Sequence, residues 1–361
     1  MRSESKTLLV LVFILLGFGL LVLYSAGIIE SQRKFDSPYF HLFRQVQNGL
    51  IPGLILFFIF SRLNYKRWKK FSLFGMMFAM FLLTMVLMSS AGFGLRGATR
   101  WLSLGFLSFQ PSEVAKLALV LYLAAFFSVK GGRAKDLHQG LIPFVIIMGF
   151  VGLLLLLQPD TGTLITVALI SFAIYFFAGA KTKHIVATVL VTGVILSVLV
   201  AVTPYRLDRI KAFINPSEDT EGVAYQLTQS YIAIGSGGVF GVGFGNSIQK
   251  VRYLPEPTSD SIFAILVEET GLVGAYITLG LFLALILTLI KITKKTADQF
   301  GRLFVLGVAV WIFVQVVINI GGLTGLMPMT GLPLPFFSAG GTSLAVMLAA
   351  LGIVFNISEN T

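Results

Sequence analysis

The sequence predicts an all-α polytopic membrane protein, and three observations lead to that class. The chain of 361 residues is 56% hydrophobic, only 12% of its residues are charged, and continuous apolar runs recur along its whole length. A soluble domain carries about 25% charged residues, so a soluble globular fold is excluded. Only helices and closed barrels satisfy their backbone groups in lipid, and continuous rather than alternating apolar runs favour helices.

About ten transmembrane helices are predicted, because ten apolar runs approach the length that a bilayer requires. Their ranges are 7–29, 46–61, 71–91, 113–129, 141–158, 162–179, 185–203, 264–290, 303–323 and 341–356. The first run is too long for the apolar region of a signal peptide and is expected to remain as the first helix. We expect residues 1–361 to form a single integral membrane domain.

The distribution of basic residues predicts the orientation. The side that holds both termini carries 16 Lys and Arg residues in short loops, and the opposite side carries 11 in far longer loops. Because positively charged short loops stay in the cytoplasm, both termini are expected there, in a multi-pass protein of the cytoplasmic membrane. The net charge of +11 therefore reflects membrane topology, and no nucleic-acid partner is expected.

Residues 204–263 form a long predicted extracytoplasmic loop between helices seven and eight. Its many apolar residues are costly to leave in water, so we expect short helices and re-entrant pieces on the membrane face. The loop contains a cluster of glycines at positions 235, 237, 238, 241, 243 and 245, and two interpretations of this cluster remain open. The backbone N–H groups could form an anion nest, with Lys250 and Arg252 adding charge for a phosphate or pyrophosphate, or the glycines could serve close packing and hinges.

Charged residues at membrane depth cost about 3 kcal/mol on insertion scales, so each is expected to have a partner or a function. Glu113 and Lys116 are three residues apart and can pair on one helical face. Such a pair is either purely structural or part of a polar cavity wall that opens to the outside. The residues just upstream that favour the cavity are Arg100, Trp101, Gln110 and Ser112.

Two aspartates lie at predicted helix starts. Asp160 follows Pro159 in a tight turn and is expected to cap the next helix. Asp260 precedes helix eight and is either a cap or a general base. Burial beside hydrocarbon would raise its pKa toward that of a useful base, whereas Ser259 or Ser261 could cap equally well.

Several motifs along nearly the whole chain identify a family resemblance. They are Arg100-Trp101 with Gln110-Pro111-Ser112-Glu113 and Lys116; Gln158-Pro159-Asp160 with Gly162-Thr163; Tyr253-Leu254-Pro255-Glu256 with Asp260 and Glu268-Glu269; and Gly331-Leu332-Pro333-Leu334-Pro335-Phe336 with Ser338, Gly340 and Gly341. With these motifs the chain resembles the SEDS family of shape, elongation, division and sporulation proteins, and within it FtsW more than RodA. Thr258-Ser259 and Ala339 depart from the family pattern, which often has His-Thr and Tyr there.

The resemblance implies a peptidoglycan glycosyltransferase that polymerises lipid II at the outer membrane face during division or elongation. It implies Asp260 as the essential aspartate, a divalent cation (Mg²⁺ or Mn²⁺) as cofactor, and a class B penicillin-binding protein as partner beside other divisome or elongasome membrane proteins. Its metal ligands are left unassigned. The predicted substrate-binding or cavity residues are Arg100, Trp101, Gln110, Ser112, Glu113, Lys116, Lys250, Arg252, Glu256 and Ser338.

The chemistry of an α-linked donor and a β-linked product requires inversion, and hence one base opposite the leaving group. Asp260 would take the proton of the acceptor 4-hydroxyl, and Lys116, Lys250 and Arg252 are candidates to assist the leaving pyrophosphate. Two other functions remain open at this point, a lipid II flippase and a non-catalytic scaffold for a transpeptidase.

Overall fold

A computed structural model describes residues 2–88, 100–104, 107–129, 132–214 and 222–360. These residues form fourteen α-helices and one short antiparallel hairpin, with 3₁₀ and π turns between some of them. The helices are α1 Ser3–Phe35, α2 Phe40–Gln45, α3 Ile51–Arg62, α4 Tyr65–Met88, α5 Pro111–Phe127, α6 Ile142–Leu157, α7 Thr161–Phe177, α8 Thr182–Ala201, α9 Pro204–Ile214, α10 Val223–Ser236, α11 Gln249–Arg252, α12 Ile262–Lys295, α13 Gln299–Leu323 and α14 Gly341–Glu359. The hairpin pairs β1 Leu102–Leu104 with β2 Leu107–Phe109.

Every predicted span has a helix in this structure. Eight segments are long and apolar enough to cross a membrane in the described part of the chain, counting α2 and α3 as one segment, Phe40–Arg62. The other two predicted spans are the 17-residue helices α5 and α7. The all-α class is therefore confirmed, and the β1–β2 hairpin is a small addition that the sequence did not predict.

The first three spans differ most from their predicted bounds, by up to six residues at one end. The second of them begins at Phe40 rather than at residue 46. The prediction failed there because His41 and Arg44 make the first turn of the helix polar. For the third predicted span, residues 89–91 lie outside the described residues.

The bundle is centred on its last two helices. The most apolar stretches of α13 and α14 are 72% and 78% buried, whereas none of the corresponding stretch of α8 is buried. Helices that are apolar all round can be surrounded either by protein or by lipid. We conclude that α13 and α14 form the protein core and that α8 lies at the periphery with its side chains toward lipid.

Small residues bring α14 against the second span. A Cβ atom at Gly53 would lie 2.6 Å from the side chain of Leu348, and one at Gly49 would lie 3.0 Å from the Cα atom of Gly341. Small residues allow this close approach of helix backbones, which membrane proteins use in place of a hydrophobic driving force.

The long loop contains the expected short helices α9, α10 and α11, while its residues 215–221 lie outside the described residues. The glycine segment, residues 237–245, follows α10 and packs on α12 at Gly271. There the α12 backbone departs from helical geometry, with a φ of 68°. The N–H group of Val242 donates to the carbonyl of Glu268 over 2.9 Å, and a Cβ at Gly241 would collide with the backbone of α12. The close-packing interpretation of these glycines is therefore the one that the structure supports.

Segment 331–340, the second part of the connection from α13 to α14, lies against α1. The backbone of Phe336 has a φ of 68°, and its carbonyl oxygen occupies the space where Gly19 has no side chain. This contact needs glycine because backbone, unlike a flexible side chain, has little room to move aside.

Gly17 and Gly19 on α1 provide a matched test of that contact. A Cβ at Gly17 meets no atom within 4 Å. We expect Gly17→Ala to raise the free energy of unfolding by about 0.5–1 kcal/mol, because alanine favours a helix. Gly19→Ala should lower it by about 1–3 kcal/mol through overpacking. Thermal unfolding in detergent, followed by tryptophan fluorescence, measures both, and equal effects of the two variants would contradict the proposed contact.

Candidate active site

A polar cavity of about 260 Å³ lies where the segment before β1, the start of α5, the α6–α7 turn and segment 331–340 meet. We call it the Asp260 cavity. It brings together residues that are up to 243 positions apart in the sequence, from Arg100 to Ser343. The predicted site residues that line it are Arg100, Trp101, Gln110, Glu113, Glu256 and Asp260.

The carboxyl group of Asp260 is half-buried at this cavity. Burial, and after it the neighbouring carboxylate of Glu256, raise its pKa to about 6 against the opposing charges of Arg209 and Arg100. A carboxyl with a pKa near 6 is ionised at neutral pH and is still basic enough to accept a proton in catalysis. The environment of Asp260 is therefore that of a general base.

Asp260 does not cap α12. The residue at the N-cap position is Ser261, and no side chain forms a capping hydrogen bond there. The alternative role that the sequence left open for Asp260 is therefore wrong, because the chain turns so that its carboxyl faces the cavity instead of the first turn of the helix.

Asn319 of α13 holds the backbone at Asp260. Its side-chain amide donates to the carbonyl of Asp260 over 3.0 Å and to the carbonyl of Leu332 over 2.8 Å. Asn319 is almost completely buried, so both bonds lie in surroundings of low dielectric constant, where they are strong. Asn319 was not among the predicted site residues, although a polar side chain inside an apolar span indicates a function.

Ser338 ties segment 331–340 to the same stretch of chain. Its hydroxyl donates to the carbonyl of Ser259 over 2.5 Å and accepts from the N–H of Leu334 over 2.8 Å. One residue later, the N–H of Ala339 donates to the carbonyl of Thr258 over 2.7 Å. Ser338 was predicted as a cavity residue, and the structure places it behind the cavity wall, where it positions the residues next to Asp260.

Arg209 of α9 is a second site residue that the sequence analysis missed. It donates from Nη1 to the carbonyl of Met329 over 2.9 Å, and its charge lowers the pKa of Asp260. A Cβ at Gly331 would lie 3.1 Å from Oδ2 of Asp260 and 3.8 Å from Nη2 of Arg209, so both groups converge on this glycine. Only the tertiary fold brings Arg209 of α9 near Asp260, and the pattern of the long loop did not indicate it.

Glu113 and Lys116 form the predicted ion pair, with 2.8 Å between Oε1 and Nζ and both side chains buried. Lys116 also lies 3.4 Å from Oε1 of Gln315 and 5.1 Å from the ring centre of Trp311. Glu113 lines the Asp260 cavity, and its second oxygen is buried with no hydrogen-bond partner in the described part of the chain. The pair is thus both structural and part of the cavity wall, whereas Lys116 lies beneath that wall.

The turn between α6 and α7 supports the cavity from the other side. Asp160 caps α7 as predicted, accepting from the N–H of Thr163 over 3.3 Å, and its other oxygen accepts from Ser112 over 3.1 Å. The guanidinium of Arg100 donates to the carbonyls of Gln158 and Pro159. Ser112 and Arg100 therefore hold this turn, and Arg100 in addition reaches the cavity.

The structure does not bring Lys250 to the Asp260 cavity. Its ammonium is buried and pairs with Glu269 over 2.5 Å, and it donates to Ser25 over 3.0 Å. This pair satisfies two charges that the interior would otherwise leave isolated. The suggestion that Lys250 assists a leaving pyrophosphate is therefore not supported by its position, and the side chain of Arg252 lies outside the described residues.

Backbone N–H groups at the end of the glycine segment do bind an anion, but that anion is a side chain of the protein. Glu268 accepts from the N–H groups of Ile248 and Gln249 over 2.9 and 3.3 Å, and from the hydroxyl of Ser247. Glu268 thus takes up the two backbone N–H groups just before Lys250, which are therefore not available to a phosphate.

No three acidic or histidine side chains converge as metal ligands among the residues that the structure describes. Mg²⁺ commonly uses only one or two carboxylates together with substrate phosphates, so a preformed cluster is not required. The partnerless oxygen of Glu113 at the cavity wall has the chemistry of such a ligand.

The helices and the cavity define a multi-pass membrane protein with a candidate general base in a polar cavity at one end of its bundle. A family model described as "Cell cycle protein", which covers FtsW, RodA and SpoVE, matches residues 6–361. The chain belongs to this family, and the SEDS resemblance of its motifs is confirmed.

The relatives cover nearly the full chain. Stage V sporulation protein E of Bacillus subtilis is 39% identical over 99% of this chain and 97% of the relative. A probable peptidoglycan glycosyltransferase FtsW of Coxiella burnetii is 40% identical over 96% of this chain and 94% of the relative.

Solved structures show the same fold. A chain from a peptidoglycan synthase complex superposes with a TM-score of 0.83 at 29% identity, covering 100% of this chain and 99% of that one. The rod shape determining protein RodA of Thermus thermophilus gives a TM-score of 0.71 at 29% identity, covering 98% and 96% of the two chains.

The buried pair predicts strong coupling between Glu113 and Lys116. Glu113→Gln or Lys116→Met alone leaves an uncompensated charge and should cost about 3–5 kcal/mol of unfolding free energy. The double variant should cost less than the sum of the two single changes. A double-mutant cycle on unfolding in detergent measures the coupling, and strict additivity would show that the two groups do not interact.

Proposed function

We propose that this chain is a peptidoglycan glycosyltransferase that polymerises lipid II into glycan strands, with Asp260 as the general base. The observation that carries the proposal is the carboxyl of Asp260 in the polar cavity, with its pKa raised to about 6. The family and the curated relatives named peptidoglycan glycosyltransferase FtsW support the same activity.

The reaction joins an acceptor hydroxyl to the anomeric carbon of a donor sugar. Asp260 accepts the proton of the acceptor 4-hydroxyl as the oxygen attacks, the bond from the anomeric carbon to the pyrophosphate breaks, and the configuration inverts. One base on the acceptor side is sufficient, because inversion needs no covalent enzyme intermediate. Asn319 and Ser338 act as positioning residues by fixing the backbone from which Asp260 projects.

The departing pyrophosphate requires positive charge nearby. Arg100 lines the cavity, and Arg209 is close enough to lower the pKa of Asp260. A divalent cation, Mg²⁺ or Mn²⁺, is part of the proposal, and Glu113 is the residue that fits as its protein ligand. When bound, such an ion neutralises charge on the leaving group.

A lipid II flippase also needs a polar cavity within a helical bundle, but it forms no glycosidic bond and so needs no base to deprotonate a sugar hydroxyl. A scaffold needs neither. Asp260 and Glu256 line one small cavity together with Arg100, and this arrangement around a carboxyl of raised pKa favours the enzyme over both alternatives.

The proposal also includes a partner protein and a membrane location. We propose a class B penicillin-binding protein as partner, supported by the likeness to a chain of a synthase complex that coordinates polymerization and crosslinking. The proposed location is the cytoplasmic membrane with both termini in the cytoplasm, supported by the 16 and 11 basic residues on the two sides.

Asp260→Asn tests the base directly. Asparagine keeps the size but cannot accept the proton, so polymerisation of lipid II should fall by about 100-fold or more while the protein remains folded. Asp298→Asn is the matched control, because Asp298 caps α13 and asparagine caps about as well. Glycan strands separated on gels measure the activity. Parent-level polymerisation by a folded Asp260→Asn variant would exclude Asp260 as the base.

The pH profile of the parent enzyme is the second measurement of the same role. A base must be unprotonated, so kcat/KM should be constant above about pH 7 and fall as the pH drops through about 6. A profile that falls only near the ordinary aspartate pKa of about 4 would contradict the raised pKa.

The orientation is tested with single cysteines, since the chain contains none of its own. Ser236→Cys in α10 and Lys294→Cys at the end of α12 are exposed and lie on opposite predicted sides. A membrane-impermeant maleimide added to whole spheroplasts should label the first and not the second. Labelling of both before lysis would contradict the topology.

A further inference from the structure

A second polar cavity, of about 250 Å³, adjoins the Asp260 cavity. We call it the Arg44 cavity. The two cavities have Trp101, Ala339 and Gly340 in common, so they meet along one wall. The side chains that distinguish the Arg44 cavity come from the start of the second span and are His41, Arg44, Gln45 and Asn48.

The charges of the two cavities are opposite. The Asp260 cavity has four lining carboxylates and one lining guanidinium, that of Arg100. In the Arg44 cavity no carboxylate lines the wall among the described residues, and Arg44 supplies a positive charge. Arg44 therefore attracts an anion on its side, whereas the carboxylates of the Asp260 cavity can accept hydrogen bonds from neutral sugar hydroxyls.

Arg44 is available for a ligand. Its side chain is exposed, and its guanidinium lies 5.8 Å from the ring centre of Phe40. Within the described ranges it forms no ion pair with an acidic residue. By contrast, Lys116 and Lys250 are both buried and each pairs with a glutamate.

The wall behind Arg44 is rigid. Gln45 is buried, accepts from the N–H of Gly340 over 2.9 Å and donates to the carbonyl of Ser338 over 3.2 Å. The start of the second span is therefore fastened to the segment that positions Asp260. Trp101 stands between the two cavities with 38% of its surface exposed.

We propose that the Arg44 cavity binds the pyrophosphate of one of the two polyprenyl-linked substrates, while the attached sugars pass Trp101 toward Asp260. The proposal rests on the proposed function, since it assigns a subsite within that reaction. A guanidinium can hold two phosphate oxygens at once, which gives orientation as well as affinity. Arg44 is thus a binding residue that fixes one substrate while its sugar lies at the base.

The test measures binding apart from turnover. Arg44→Gln and Arg44→Lys are made in the Asp260→Asn background, in which lipid II binds without reacting, and Arg62→Gln is the matched control at the other end of the same span. Binding of radiolabelled lipid II and its displacement by undecaprenyl pyrophosphate are measured in detergent micelles.

Losing a charge-assisted contact should raise the Kd for lipid II at least tenfold in Arg44→Gln, with partial recovery in Arg44→Lys and no change in Arg62→Gln. Displacement by undecaprenyl pyrophosphate should weaken in parallel. Unchanged binding and displacement in a folded Arg44→Gln variant would overturn the proposal. Because the readout is binding, a parent that binds lipid II but fails to polymerise it counts against the proposed function and not against this subsite.

Kinetics of the Arg44→Gln variant with Asp260 intact distinguish the two substrates. A preformed glycan on undecaprenyl pyrophosphate serves as donor and lipid II as acceptor. A rise in KM for lipid II alone assigns the cavity to the acceptor, and a rise for the preformed glycan alone assigns it to the donor. A fall in kcat with both KM values unchanged would contradict a binding role.

Discussion

The hydrogen bonds from Asn319 and Ser338 to the backbone at residues 259–260 are the interactions on which the site depends. Asn319 belongs to α13, in the core of the bundle, and Ser338 belongs to the segment that enters α14. Together they attach the loop before α12 to the most buried part of the protein. A carboxyl group keeps its position in a cavity only if its backbone is fixed. These hydrogen bonds fix the backbone of Ser259 and Asp260.

The buried charged groups of this protein are of two kinds, those paired in ion pairs and one that is only partly compensated. Lys116 pairs with Glu113, and Lys250 pairs with Glu269, so both lysines are neutralised where water is excluded. Asp260 lies among charges of both signs instead, and its pKa is raised because burial and Glu256 outweigh Arg209 and Arg100. A group that is fully paired is stable but unreactive, which is why the incompletely compensated aspartate is the candidate base.

Glycines make this arrangement possible by removing side chains where backbones meet. Gly19 admits the carbonyl of Phe336, Gly331 leaves space beside Asp260 and Arg209, and Gly241 packs on the break in α12 at Gly271. Each contact brings a loop onto a membrane helix at backbone distance. The loops around the candidate site are therefore packed directly against the membrane helices.

The sequence by itself determined the all-α membrane class, the ten helical segments, the Glu113–Lys116 pair and Asp160 as a cap. These features depend on local composition and on spacings of three or four residues. In a helix, residues at that spacing lie on the same face. It also singled out Asp260, through its place at the end of an ordered loop and through the resemblance of its motif. Only the tertiary structure excluded the cap role of Asp260, brought Arg209 and Asn319 near it, and placed Lys250 in a separate buried pair. Those outcomes depend on contacts between helices that are distant in sequence, and no local pattern encodes which of several lysines or arginines will face a cavity.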